Sequence, residues 1–240
     1  MKHIVKKYTV PAEAPSFKSW KDSKQLSKTH LEAKANLENQ KNDIWKKFTK
    51  KTVVKNAVKK DLLEEQGYIC CYCQTRIKMD EKTQIEHFIA MDSDPTKMFD
   101  YDNLLASCDG GQQYRTNHNQ DDEIEYIPKF CGHAKTSESL PISPLEQNCE
   151  EHFDYFLNAD DEIIVEGRTN EGKTVVEMLK LDLPYLNRLR GNSIIPLITN
   201  TEGEFLDDDE LNQIIMNLFN KTDNMFVPFC IVVKNILQKI

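Results

Sequence analysis

Two pairs of cysteines, far apart in the chain, bracket a Glu-His dipeptide and an Asn that leads into an apolar run. In order they are Cys70-Cys71-Tyr72-Cys73, Ile85-Glu86-His87-Phe88, Tyr101-Asp102-Asn103-Leu104-Leu105-Ala106-Ser107-Cys108 and Cys131-Gly132-His133-Ala134-Lys135. The C-x-x-C spacing of Cys70 and Cys73 lets two thiolates meet one tetrahedral Zn²⁺, and Cys108 and Cys131 make up a set of four. Thiol redox chemistry uses the same spacing, but it expects a buried strand before the motif and a helix after it, which residues 75–84 do not supply. Cys71, Cys149 and Cys230 lie outside this set and read as small buried residues.

Glu86 and His87 carry a different chemistry. An imidazole of near-neutral pKa can take a proton from water, and a neighbouring carboxylate can hold a divalent cation that stabilises a phosphate under attack and its leaving oxygen. Taken alone, a Glu-His pair is an ordinary surface feature. Asn103 gives it context, because an amide both donates and accepts and can tie a histidine-bearing loop to the strand leading to Cys108. It also reads as a plain turn residue after Asp100-Tyr101-Asp102. His133, at the expected start of a short helix, is the preferred second ligand of the catalytic cation. His118 competes for that role, and Lys135 is placed to touch a phosphate.

These groups need elements to position them. Residues 16–65 lack Gly and are rich in Lys, Leu and Ala, which predicts helices, with Trp20, Trp45 and Phe48 as core rather than as platforms for bases. Gly67 ends the last helix, and Tyr68-Ile69-Cys70 reads as a short extended run. From there to about residue 140 turns dominate, and a metal would staple a segment so poor in apolar residues. Phe153-Tyr155-Leu157 and Ile163-Ile164-Val165, separated by Asn158-Ala159-Asp160-Asp161, predict a hairpin. Helices are expected over 174–181, 184–197 and 208 to the C-terminus, with Asp207 to Asp209 supplying an N-cap.

No stretch approaches the ~18 apolar residues of a membrane helix, and the N-terminal residues lack a signal-peptide run, so a cytoplasmic location is expected. In a reducing compartment the seven cysteines favour metal ligation or buried thiols over disulfides. The net charge of −8 is unevenly spread: residues 1–60 hold 16 Lys and five acids, a balance of +11, against −19 for the rest. A basic arm of this kind suits a polyanion or an acidic partner protein; it also suits a solvated helix surface.

His87, Asn103 and His133, threaded through the four cysteines over residues 66–145, resemble the HNH endonuclease motif. Within that superfamily the stretches CYC, IEHF, YDNLL and CGHAK, the run from Pro141 to Pro144, Leu181-Asp182-Leu183-Pro184 and Arg188 resemble the PtuB-type HNH proteins of Septu anti-phage systems, which also occur with some retrons. The resemblance implies an α+β fold, mainly helical, around a central zinc-stapled ββα-metal core. A basic helical region (1–65), a nuclease core (66–145) and a hairpin-plus-helix region (146–240) would pack together. It implies His87 as general base, Glu86 and His133 on a catalytic Mg²⁺ or other divalent ion, Asn103 as positioning residue, and Cys70, Cys73, Cys108 and Cys131 on zinc. It further implies a nucleic-acid substrate, a PtuA-like ATPase partner and, in retrons, a reverse transcriptase with its RNA-DNA hybrid. The competing class is a catalytically inactive, zinc-stabilised adaptor that binds an ATPase or nucleic acid. The chain departs from the common motif in having Glu86 where Asp is usual, and Gly132 directly after Cys131.

Overall fold

The computed structural model describes residues 1–7, 15–112 and 127–239. Helices fill the Lys-rich first quarter, as its Gly-free composition favours: α1 (Pro15–Ser23), α2 (Lys28–Glu32), α3 (Leu37–Thr49) and α4 (Thr52–Glu65). Their inner faces meet in an aromatic cluster. Phe17, Trp20, Trp45 and Phe48 pack with Phe99, ring centroids lying 4.8 to 6.4 Å apart. Phe17 and Phe48 are fully buried, whereas Trp45 is only half-buried at the edge of the cluster.

Beyond α4 the chain turns through the cysteine knuckle, where the extended run expected at residues 68–70 is reduced to a single bridge between Ile69 and Arg76. It then forms an antiparallel pair, β1 (Gln84–His87) with β2 (Leu104–Ser107), in which Glu86 faces Leu105 and His87 faces Leu104. All four residues of β2 are buried. Its backbone beyond the β1 edge is satisfied by the knuckle: the Gln66 side chain accepts from the Ala106 N–H (2.7 Å) and donates to the Ala106 carbonyl (2.8 Å), to which the Cys71 N–H also donates (3.1 Å). A short helix, α5 (Gly132–Lys135), follows Cys131.

The second half is the expected hairpin, β3 (Phe153–Leu157) with β4 (Ile163–Gly167), backed by α6 (Asn170–Leu179), α7 (Pro184–Ile198) and α9 (Cys230–Leu237). Thr169 starts α6 by accepting from the Gly172 N–H, and Lys180 ends it in the left-handed region at φ 53°. Between α7 and α9 lies α8 (Asp208–Asn217), whose start carries a full capping box between Asp207 and Glu210. The single helix expected from 208 to the C-terminus is thus two. Asp223 and Asn224 turn the chain at positive φ, and Pro228, which has no N–H to donate, precedes the restart at Cys230.

Arg190 joins these layers from a fully buried position on α7. Its guanidinium donates to the carbonyls of Ile163 (3.2 Å) and Leu181 (2.5 Å) and to Asn187 Oδ1 (2.8 Å). Two residues before Leu181, the Leu179 carbonyl accepts from the Cys131 N–H (2.9 Å), so the layer fastened by Arg190 also seats the fourth cysteine. One cluster of buried residues runs from Met1 to Leu237. No helix among the described residues is long and apolar enough to cross a membrane. Replacing Arg190 by Ala strands three buried acceptors and opens a cavity, and should lower the unfolding free energy by about 3 kcal/mol or more, read as a lower urea midpoint at unchanged slope.

Candidate active site and metal centre

Cys70 and Cys73 occupy a tight turn in which the Cys70 N–H donates to the Thr75 carbonyl (2.9 Å) and the Gln74 N–H to the Cys70 carbonyl (3.1 Å), with Gln74 at φ 64°. Cys108 follows the end of β2 and Cys131 precedes α5. The four sulfurs all lie within 4.8 Å of one another, with Cys70 to Cys131 at 4.0 Å and Cys73 to Cys108 at 3.9 Å. Sulfurs about 2.3 Å from a shared ion at tetrahedral angles would be about 3.8 Å apart, so the set can hold one metal ion such as zinc. The spacings are far beyond the ~2.05 Å of a disulfide, and all seven cysteines are free thiols. Burial drives the Cys131 thiol well above the usual range. At Cys70 burial acts in the same direction, but hydrogen bonds from the other thiols outweigh it and hold this one group well below the usual range. Four thiolates together would need a cation to share. Cys149 and Cys230 are buried elsewhere in the core, and Cys71 is buried within the knuckle, its thiol against that of Cys70 but outside the set of four.

Beside this cluster lie the acid and the histidine. Neighbours on a strand point to opposite faces. Glu86 turns toward α5, where its Oε1 accepts from the Tyr72 hydroxyl (3.2 Å) and from the Lys135 ammonium (3.2 Å). Its Oε2 lies over the Cα of Gly132, so closely that a Cβ there would sit 2.4 Å from it. The carboxylate of Glu86 therefore fills the space that a side chain at position 132 would need, and the two departures from the common motif account for each other. Burial pushes the Glu86 pKa upward, opposed by Lys135 and Tyr72. The Lys135 side chain is only 1% exposed, and its ammonium also donates to the His87 carbonyl (2.7 Å). It points inward, binding residues 86 and 87, and not to solvent, where the sequence placed it against a phosphate.

The His87 ring packs against the Trp45 indole, with centroids 4.4 Å apart at 64°. Its Nε2 lies 3.0 Å from the Met98 carbonyl. A carbonyl only accepts, so Nε2 carries the proton and Nδ1 holds the free lone pair. Burial pushes the imidazole pKa down to about 4, against the opposing bond to Met98, which leaves the ring neutral near pH 7. Asn103 is buried behind this loop. Its Oδ1 accepts from the Ile89 N–H (2.7 Å), and its Nδ2 donates to the carbonyls of Ile89 and Lys97 (3.0 Å each). Both ends of the excursion after His87 are thereby joined. His133 lies on α5 next to Gly132, half-buried, while His118 falls outside the described residues.

The structure thus gathers Glu86, His87, Asn103, Lys135 and Gly132 around one hairpin end and sets the four thiols beside them, while the His133 side chain lies against Gly110. Sequence reasoning missed Tyr72, the Met98 carbonyl and the packing of Trp45 on His87. Tyr72 sits within the knuckle and could have been suspected from its place between two ligands; the other two interactions leave no local sequence signal.

No protein-family profile matches the chain. A protein of Vibrio cholerae serotype O1 biovar El Tor, named "Retron Vc95 putative HNH endonuclease", is 30% identical over 153 residues, an alignment covering 60% of this chain and 67% of that protein. The chain belongs to the HNH endonuclease family.

Gly132→Ala should destabilise the protein by about 1–3 kcal/mol through the clash with Glu86. Adding Glu86→Asp, which withdraws the carboxylate by one methylene, should recover part of that loss in thermal melts. Replacing Cys73 or Cys131 by Ser should lower bound metal, measured by elemental analysis of the purified protein, and unfold the knuckle and α5 as judged by amide exchange.

Proposed function

We propose that the chain is a metal-dependent HNH endonuclease that hydrolyses phosphodiester bonds in DNA or RNA, with zinc on the four cysteines as a structural ion. The observation that carries this reading is His87: a neutral imidazole, anchored through Nε2 to a backbone carbonyl, with Nδ1 left to accept a proton. It stands beside a buried carboxylate on the same strand. We read β1, β2 and α5 as the ββα-metal unit, from their order along the chain and from the four thiols that bind them together.

In this reading Nδ1 of His87 takes a proton from water as the water oxygen attacks phosphorus, and the bond to the departing sugar oxygen breaks. Glu86 would offer the hard oxygen donor that Mg²⁺ prefers and His133 an imidazole nitrogen better suited to a transition-metal ion, with water and substrate phosphate completing the shell. Such an ion would supply positive charge to the phosphate and the leaving oxygen. Asn103 keeps the loop after His87 closed, and so keeps the ring aimed. Lys135 and Tyr72 hold Oε1 of Glu86, which leaves Oε2 as the less encumbered donor.

The wider role is that of nuclease effector in an anti-phage complex of the Septu or retron type, beside a PtuA-like ATPase or a reverse transcriptase with its RNA-DNA hybrid. Its support is the resemblance of the motif stretches to PtuB-type proteins and the retron named for the Vibrio relative. In a chain of net charge −8, such a partner would add to the affinity for nucleic acid. His87→Ala should reduce Mg²⁺-dependent cleavage by a purified complex about 100-fold or more while leaving the zinc content unchanged and the protein folded, its melting temperature lowered by the lost packing on Trp45. Full activity in that variant would exclude His87 as the base and favour a non-catalytic, zinc-stabilised adaptor.

A further inference from the structure

The 16 lysines of residues 1–60 are not equivalent. Lys6, Lys21, Lys41 and Lys59 are spent inside the fold: Lys6 pairs with Glu65, Lys21 donates to the Phe99 carbonyl, Lys41 pairs with Asp92, and Lys59 donates to the Asp80 carbonyl. Lys7, Lys18, Lys28 and Lys60 each face a carboxylate at 3.5 to 4.0 Å. Lys2 donates to the His3 carbonyl and lies over the Phe226 ring. Seven lysines make no ion pair among the described residues: Lys24 and Lys34, which stand singly, and Lys46, Lys47, Lys50, Lys51 and Lys55, of which the first four are exposed and Lys55 is half-buried. These last five fall together at the corner where α3 ends and α4 begins.

Helix physics explains only part of this placement. Lys46 and Lys47 lie in the last turn of α3, where positive charge is favoured. Lys51 and Lys55 are on the wrong end of α4. Lys51 occupies its N-cap without making a side-chain cap bond, and the first turn of α4 holds no acidic residue. A Ser, Thr or Asp would serve there better by about 1 kcal/mol, and a cation next to the exposed N–H groups opposes the helix dipole. The corner is therefore charged at the expense of the helix that carries it. It also abuts the site, because Trp45, one residue before Lys46, packs on His87, and Lys41 on the same helix pins the loop after His87 through Asp92 (2.9 Å).

We infer that the α3–α4 corner is the surface along which the phosphate backbone of a nucleic-acid strand is held as it runs into the site at His87. Lys46, Lys47, Lys50, Lys51 and Lys55 act as point charges, and Trp45 separates them from the base. The inference rests on the nuclease reading for the identity of the polyanion. It moves phosphate binding from Lys135, which is buried, to a corner with which no acid among the described residues forms an ion pair.

The test is binding, kept apart from cleavage by working in full-length His87→Ala protein with fluorescein-labelled duplex DNA, single-stranded DNA and single-stranded RNA. The triple variant Lys47→Glu, Lys50→Glu, Lys51→Glu should weaken binding of at least one probe about tenfold or more and flatten the dependence of log affinity on log salt by about 0.7–0.9 for each phosphate no longer neutralised. A control of equal net charge, Lys18→Glu, Lys28→Glu, Lys173→Glu, should change neither by more than a small factor. Both variants should unfold in a single cooperative melt, which shows that any change in binding is not loss of the fold. Unchanged binding of all three probes by the corner variant, or an equal loss in the control, would overturn the inference. Intact binding by the His87→Ala protein together with no Mg²⁺-dependent cleavage by the unsubstituted protein in its purified complex would instead count against the nuclease reading alone.

Discussion

Four sulfurs within 4.8 Å of one another form the constraint on which the rest of the site depends. They draw together a tight turn, the exit of β2 and the entry of α5, three stretches with little apolar surface to share. Cys131 is the decisive member. It sits at φ 52°, its N–H is taken by the Leu179 carbonyl, and the next residue is the glycine against which Glu86 lies. Moving that sulfur would move Gly132 and His133 relative to β1, and with them the surface that supports the Oε2 side of the carboxylate. The layer fastened by Arg190 therefore acts on the site through one backbone hydrogen bond.

Charge is handled in two opposite ways. Inside, Lys135 and the Tyr72 hydroxyl both donate to Oε1 of Glu86, partnering the buried carboxylate as a low-dielectric setting demands. Outside, the α3–α4 corner leaves its lysines unanswered by any acid among the described residues. A buried ammonium tied to two acceptors cannot also meet a substrate, whereas an exposed one without an ion pair keeps its charge available. Burial thus separates groups that composition treats alike.

How much of this could be read in advance follows the same division. The four thiols were legible across the long interval before Cys131 because ligand types and their flanking residues are local signals, whereas Asn103 read equally as a turn residue, a choice decided only by its bonds to Ile89 and Lys97. The back hairpin and the capping box at Asp207 announced themselves through alternation and spacing. What stayed hidden depends on tertiary packing. The inward turn of Lys135 is decided by where Glu86 and the His87 carbonyl lie, and the fit of Glu86 over Gly132 by the seating of Cys131. The division of the last helix was legible in principle, since Asp223-Asn224 and Pro228 are turn and breaker residues, but the apolar stripe on either side outweighed them.

The packing of Trp45 on His87 has a spectroscopic consequence. The chain holds only two tryptophans. Trp20 lies in the aromatic cluster, while Trp45 touches the imidazole ring, 4.4 Å between centroids. Indole emission is sensitive to a neighbouring charge, so one of the protein's two indoles is coupled to the state of the proposed base. Protonation of that ring, or arrival of an ion or a strand beside it, would be visible in the native protein as a change in emission, without a label and without turnover.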